Sequence, residues 1–270
     1  FMIDKEIGYI RLNRFAQSSN EEMVQAITEL QSEGMQSLIL DLRGNGGGYL
    51  NVAVDICDQF LSGDKLIVYT KGAKSPRQEL KAQKKGLFEQ GRLVIMVDES
   101  SASASEILSG AVQDWDRGVI VGRRTFGKGL VQRPFDMYDG SQIRLTTSRY
   151  YTPSGRCIQK PYDAGVEEYQ MDYYNRLSHG ELLSADSVHF ADSLRCFTSG
   201  NRLVYGGGGI MPDVFVPIDT MRASDYMINL RSKGLFNSFA LNWTEENREQ
   251  FLKKAPTYDK FSKEYEKMNV

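Results

Sequence analysis

Three short, almost wholly apolar runs constrain this chain most: SLILDL (37–42), LVIMV (93–97) and GVIVG (118–122). Each is too short for an ordinary buried helix and too continuously apolar for a strand with one wet face, so each suits a strand covered on both sides. Each also runs straight into a stretch of glycines or small residues, RGNGGG (43–48), DESSASAS (98–105) and RRTFGKG (123–129). Ahead of the first run, IGYIRL (7–12) alternates like a strand. Ser19 stands three residues before Glu22 as a capping box, leading Met23, Ala26, Ile27 and Leu30 at helical spacing, and Gly34 closes that helix. Strand, helix and strand within the first forty-odd residues define an α/β unit.

The rest of the chain continues the pattern less regularly. After RGNGGGYL a second amphipathic helix offers Val52, Val54, Ile56, Phe60 and Leu61 for packing, and LIVY (66–69) reads as a strand. KGAKSPRQELKAQKKG (71–86) is polar and basic, a solvated excursion. IRLTTSRYY (143–151) alternates like a strand with one exposed face. Residues 160–202 are rich in Tyr, Asp and Ser, hold both histidines (His179 and His189), and have weak periodicity. Strand character returns in LVYGGGGIMPDVFV (203–216), and the last fifty residues carry helical patterns such as Glu245–Lys254.

Bulk properties exclude several functions. A length of 270 residues suffices for one large domain or two small ones, and 41% hydrophobic with 25% charged residues is ordinary for a globular chain. A formal net charge of −2 supplies no basic field for nucleic acid and no polybasic membrane patch. No apolar run approaches the length of a transmembrane helix. FMIDKEIGYI lacks the cationic, apolar and small-residue regions of a signal peptide, which fits a cytoplasmic protein or an exported one whose beginning has been removed. Cys57, Cys157 and Cys196 are odd in number and without metal-like spacing, so three free thiols are expected.

Chemistry concentrates in the three small-residue stretches. Serines 100, 101, 103 and 105 alternate with alanine at a strand-to-helix junction, where a hydroxyl is presented beside backbone N–H groups that can face an oxyanion. The same run also reads as N-caps and close packing. A nucleophilic serine needs a base. Neither histidine has a supporting pattern, whereas Lys128, between Gly127 and Gly129 and beside Phe126, Leu130 and Val131, sits where lost hydration would favour the neutral amine. It reads equally as a surface lysine in a glycine turn. The glycine loop 44–48 could cradle a phosphate, but no Walker lysine or dinucleotide fingerprint accompanies it, and its amides suit an acyl oxyanion as well.

Together these stretches resemble the carboxyl-terminal processing, or tail-specific, protease family. The resemblance rests on IGYIRLNRF (7–15), GMQSLILDLRGNGGGYL (34–50), VDESSASASEILSGAVQD (97–114), VIVGRRTFGKGLVQ (119–132), LTTSRYYTPSGRCI (145–158) and GGIMPDVFV (208–216), in the family's order. It implies an α/β, crotonase-like core of repeated β-β-α units with a mainly helical C-terminal part. The divisions it implies are a protease core (1–158), an insertion of unassigned role (159–207), a returning core strand (208–216) and a helical part (217–270). It implies Ser103 as nucleophile and, twenty-five positions on, Lys128 as general base, with Gln132 holding the lysine. Ala104 with Gly47 or Gly48 would form the oxyanion hole, and Asp114 would be structural. No metal or organic cofactor is implied. Substrates would be proteins or peptides bound by their C-terminal region and cut near it, in a bacterial periplasm or cell envelope, with room for a homo-oligomer.

Three departures from the family pattern stand out. The family carries a PDZ domain just before the stretch matching IGYIRL; here it is missing, so recruitment and gating by that domain are expected to be absent. Gly46 replaces the usual proline of the glycine loop, leaving the turn looser. Residues 159–207 are much longer than the expected connection, and their weak periodicity suggests a segment dispensable for the core fold. The rival to a peptidase is a non-catalytic binding or scaffold module on the same fold.

Overall fold

The computed structural model describes residues 1–163, 165–219 and 224–267, in two compact units, Phe1–Pro217 and Ile218–Val270. The first unit runs β1 (Ile7–Arg11), α1 (Ser19–Ser32), β2 (Ser37–Asp41), α2 (Leu50–Asp58), β3 (Leu66–Lys71), β4 (Gln78–Lys81), β5 (Arg92–Val97) and α3 (Ala104–Asp114). It continues with β6 (Val119–Gly122), β7 (Leu130–Asp136), β8 (Gln142–Tyr151), α4 (Val166–Ser178), β9 (Arg195–Phe197), β10 (Leu203–Tyr205) and β11 (Val214–Phe215).

The three apolar runs become β2, β5 and β6, neighbours in a five-stranded parallel sheet of order β1-β2-β5-β6-β11. Leu38 and Leu40, Leu93, Ile95 and Val97, and Ile120 point into one core with Met23, Ile27 and Leu30 of α1, Val52, Ala53 and Ile56 of α2, and Ile107, Leu108, Ala111 and Val112 of α3. Each Leu, Ile, Val or Met among these contributes about 1.5–3 kcal/mol on leaving water. Double covering is only partial. Along β5, Leu93, Ile95 and Val97 are sealed while Val94 and Met96 between them are half-buried. Helix α3 is buried along its whole length.

Two local expectations change. The helix α1 starts at Ser19 itself, with Ser18 as its N-cap, and Glu22 accepts from the Ser18 hydroxyl (2.7 Å), so no Ser19–Glu22 capping box forms. The Ser19 hydroxyl instead donates to the Arg14 carbonyl (3.0 Å) and accepts from the Ala16 amide (3.0 Å). The basic stretch 71–86 is not wholly a solvated excursion, because Gln78–Lys81 forms β4, antiparallel to β3, and Ala82 is buried. These strands belong to a second, antiparallel sheet of order β4-β3-β8-β7. The expected exposed-face strand is β8, whose partner β7 is an unforeseen strand leading directly from the Lys128 turn.

The segment 159–207, expected to be dispensable for the core fold, makes several polar contacts with the rest of the first unit. Its hairpin β9–β10 brings Arg202 to Asp116 (2.5 Å) and Asp213 (2.6 Å), and the Ser199 amide donates to the Asp114 carbonyl (2.7 Å). Leu182 and Val204 are buried. Arg176 of α4 is buried too, donating to the carbonyls of Thr125 (2.7 Å) and Phe126 (3.1 Å).

The second unit is helical: α5 (Asp225–Ser232), α6 (Leu235–Lys254) and α7 (Tyr258–Lys267). The Ser224 hydroxyl caps α5 by accepting from the Met227 amide (3.2 Å). Lys253 and Lys254 sit in the last turn of α6, where cations oppose the helix dipole. Among the described residues no helix is long and apolar enough to cross a membrane.

Replacing 159–207 by a short Gly/Ser linker would remove Ser199 from the Asp114 carbonyl and Arg202 from Asp116 and Asp213, and bare the carbonyls that Arg176 holds. The expected outcome is loss of a cooperative urea transition, followed by circular dichroism; a transition like the parent's would return the segment to accessory status.

Candidate active site

Adjacency in the sheet decides where the chemistry gathers. Because β2, β5 and β6 are neighbouring parallel strands, the turns that follow them meet at one edge, the carboxyl ends where open parallel sheets place their ligands. These turns are the glycine loop, the serine run and the Lys128 turn.

Within the serine run the environments diverge. Ser101 and Ser105 are fully buried, their hydroxyls donating to the carbonyls of Leu42 (2.8 Å) and Asn45 (2.9 Å). Ser100 is exposed in the preceding turn. Ser103 is half-buried at the N-cap of α3 with φ 59° and ψ −109°, a backbone region that only glycine enters freely. Such a residue costs about 1–3 kcal/mol and persists only where its surroundings over-determine it.

Those surroundings are the glycine loop and Glu106. Buried Asn45 accepts at its carbonyl from Ala102 N–H (3.0 Å) and the Ser105 hydroxyl, and its amide donates to the Leu12 carbonyl (2.7 Å). Gly47, at φ 97°, lies against the Ser103 turn. A Cβ there would stand 2.7 Å from the Ala102 carbonyl oxygen and 2.9 Å from both the Ala104 nitrogen and the Ser103 Cβ. The Gly47 N–H is engaged by Asn45 Oδ1 (2.9 Å). Among the described residues the amides of Ala104 and Gly48 have no intramolecular acceptor.

Glu106, absent from the sequence-based assignment, is the centre of the site. Its side chain is sealed from solvent and accepts four hydrogen bonds: at Oε1 from the Thr125 hydroxyl (2.6 Å) and Gly127 N–H (2.6 Å), at Oε2 from Ser103 N–H (2.8 Å) and Lys128 N–H (2.9 Å). Burial pushes its carboxyl above the usual glutamate range, against the pull of those donors. One carboxylate oxygen thus holds the backbones of both Ser103 and Lys128. A sequence signal existed, since Ser103-x-x-Glu106 is the capping-box spacing.

The turn carrying Lys128 is held throughout. Phe126 N–H donates to the Ser101 carbonyl (3.0 Å), Gly129 N–H to Gln159 Oε1 (2.9 Å), and the Thr125 hydroxyl accepts from Ile210 N–H (2.7 Å). Lys128 itself is half-buried, as are Phe126, Leu130 and Val131, so the apolar enclosure expected from the sequence is only partial. No hydrogen bond or ion pair of its ammonium occurs among the described residues. Gln132 is exposed on β7, just past an irregularity at Val131, and the structure forms no hydrogen bond between it and Lys128. Asp114 lies at the far end of α3, its carboxylate accepting from buried Arg156 (2.7 Å) and Ser154 N–H (2.9 Å). His179 and His189 are both exposed, and neither bonds to a serine of the run. The three cysteines are free, as expected, and among the described residues no group of His, Cys, Asp or Glu converges as a metal-ligand set.

Glu106→Gln isolates the carboxylate's role at nearly constant volume. One amide nitrogen would then face two donors, stranding them at about 1–3 kcal/mol each. The expected result is a lower urea midpoint and faster hydrogen exchange at the amides of Ser103, Gly127 and Lys128; a parent-like midpoint with parent-like exchange would remove Glu106 from the centre of the site.

This chain is similar to several known proteins. The chain is 34% identical over 206 residues to the carboxyl-terminal-processing protease of Synechocystis sp., covering 76% of this chain and 47% of that one. It is 40% identical over 150 residues to the chloroplastic carboxyl-terminal-processing peptidase 3 of Arabidopsis thaliana, covering 54% of this chain and 28% of that one. Its fold superimposes on a photosystem II D1 C-terminal processing protease with a TM-score of 0.57 at 30% identity, over 78% of this chain and 42% of the other. The chain therefore spans less than half the length of these relatives. A family of unknown function matches residues 226–269. Peptidase family S41 matches residues 6–168, more than half of the chain, and the chain belongs to that family.

Proposed function

We propose that this chain is the peptidase part of a serine endopeptidase that cuts protein chains near their C-termini, with Ser103 as nucleophile and Lys128 as general base. The observation that carries the reading is Ser103 itself. It is the one serine of the buried part of the run whose hydroxyl is not spent on a backbone carbonyl, held in a strained conformation and tethered through Glu106 to the turn bearing Lys128.

Neutral Lys128 takes the Ser103 hydroxyl proton as Oγ attacks the scissile carbonyl, and the oxyanion receives the amides of Ala104 and Gly48. Gly47 serves instead by close approach, since its own N–H is taken by Asn45. The protonated lysine returns its proton to the leaving amine, and water, deprotonated by the same group, releases the acyl-enzyme. Gln132 is assigned to orient the lysine amine, a task that requires its exposed side chain to turn towards Nζ. Protein substrates engaged by their C-terminal region, and an exported, envelope location, are part of the same proposal; the relatives' names as carboxyl-terminal-processing proteases support the first.

Ser103→Ala should lower kcat/KM by about 10⁴-fold or more, as loss of a nucleophile does elsewhere, with the fold retained. Ser101→Ala and Ser105→Ala should lower stability instead. Lys128→Arg should be inactive, since a guanidinium does not give up its proton, and His179→Ala and His189→Ala should stay near parent rates. Peptides with free and amidated C-termini provide the assay. A dead histidine variant beside an active Lys128→Ala would overturn the dyad, and absence of hydrolysis at every pH would favour a scaffold.

A further inference from the structure

The turn that delivers Lys128 is gripped from two directions, and one of the grips belongs to residues 159–207. On its amide side the core holds it through Ser101 and Glu106. On its carbonyl side three consecutive acceptors go to the other segment: Thr125 O to Arg176 Nη1 (2.7 Å), Phe126 O to Arg176 Nη2 (3.1 Å) and Gly127 O to Lys160 N–H (2.9 Å). A guanidinium presents its donors in a fixed planar fork, a geometry for two adjacent carbonyls that a point-like ammonium lacks.

Both cations are themselves fixed. Asp172, one turn before Arg176 on α4, lies 3.0 Å from Arg176 Nε and 2.9 Å from Lys160 Nζ. The Lys160 ammonium also donates to the Tyr169 carbonyl (3.1 Å) and lies over the rings of Phe126 (4.2 Å) and Tyr169 (4.0 Å). Tyr169 packs edge-on against Phe126 and stacks on Tyr162. Arg124, next to the turn, is paired with Glu181 (2.5 Å). Gly127 leaves no slack, since a Cβ there would lie 3.1 Å from Gly208, Gly209 and Lys160. All these groups converge on the four residues before Lys128.

We propose that residues 159–207 complete the active site, with Arg176 as the positioning residue that holds the Lys128 turn in register with Ser103. The proposal rests on the Ser103–Lys128 reading above. Arg176 touches neither substrate nor reacting atoms; it sets where the amine can be.

The test uses the whole chain, with turnover of a peptide substrate and hydrogen exchange at 125–129 measured on the same variants. Arg176→Ala should lower kcat by about 10²-fold, the cost of an ångström-scale misplacement, with KM little changed. Exchange should rise at the amides of Gly127 and Lys128 but not within α3, and added guanidinium chloride at sub-denaturing concentration should restore part of kcat. Should Arg176→Ala fail to unfold cooperatively, Arg176→Lys decides: its ammonium lacks the planar fork that fits two adjacent carbonyls, and kcat should still drop about tenfold or more. A folded Arg176→Lys and a folded Asp172→Asn that both keep parent kcat and parent exchange would overturn the proposal. Lys128→Ala run in parallel separates the two claims. If Lys128→Ala is dead while the Arg176 variants are normal, only the positioning role fails; if Lys128→Ala is active, the dyad reading fails.

Discussion

A carboxylate with no solvent and four donors is the constraint on which the site depends. Moving an isolated carboxylate out of water costs several kcal/mol even after a protein relaxes around it. Glu106 offsets that cost with three backbone amides and one hydroxyl, donated from two different turns. Charge-assisted hydrogen bonds of this kind are about twice as strong as neutral ones. Its place in the first turn of α3 adds a favourable interaction with the helix dipole. The arrangement is cooperative in a geometric sense: the carboxylate is tolerable only when both turns are in place, and both turns are fixed only when the carboxylate is buried between them.

The parallel sheet makes that convergence possible. Strands β2, β5 and β6 lie side by side, so three turns distant in sequence end at one edge. Each turn then solves a different backbone problem. The glycine loop must approach within a distance that no side chain survives, as Gly47 shows against Ala102 and Ser103. The serine run must hold a non-glycine residue at positive φ, and the bonds from Asn45 on one side and Glu106 on the other over-determine it. Burial of α3 end to end gives that turn a rigid base, because a helix sealed on all sides cannot rock to relieve the strain at its first residue.

Much of this was legible in the sequence, and the misses have physical reasons. Strands β2, β5 and β6 could be found because apolar runs between small-residue turns have few other uses. Ser103 could be singled out only by family likeness, because four serines at one junction look alike until burial and φ separate them. Glu106 was missed although Ser103-x-x-Glu106 has capping-box spacing, while the same spacing at Ser19-x-x-Glu22 suggested a box that does not form. Spacing records only that a side chain can reach. Whether it does so depends on where the helix begins, and α1 begins one residue earlier than its sequence suggested. Strand β7 went unseen because most of its residues are exposed and it carries a proline, Pro134, tolerated at the sheet's edge. The role of 159–207 was illegible because its anchors are polar, and polar contacts leave no periodicity.

Those polar anchors also explain what kind of contribution the segment makes. Arg176 and Lys160, both buried and both paired with Asp172, form ion pairs of this kind. Replacing such pairs by apolar side chains often costs a protein nothing in stability, so stability alone is a weak reason to keep them. An apolar contact, however, tolerates sliding, whereas a guanidinium fork on two named carbonyls has one geometry. The loop bearing Lys128 has glycines at 127 and 129, which gives its backbone many alternatives. A chain that fixes Lys128 on so permissive a turn has to remove those alternatives by contacts with direction. Buried hydrogen-bonded charges from a neighbouring segment do that where further hydrophobic packing would not.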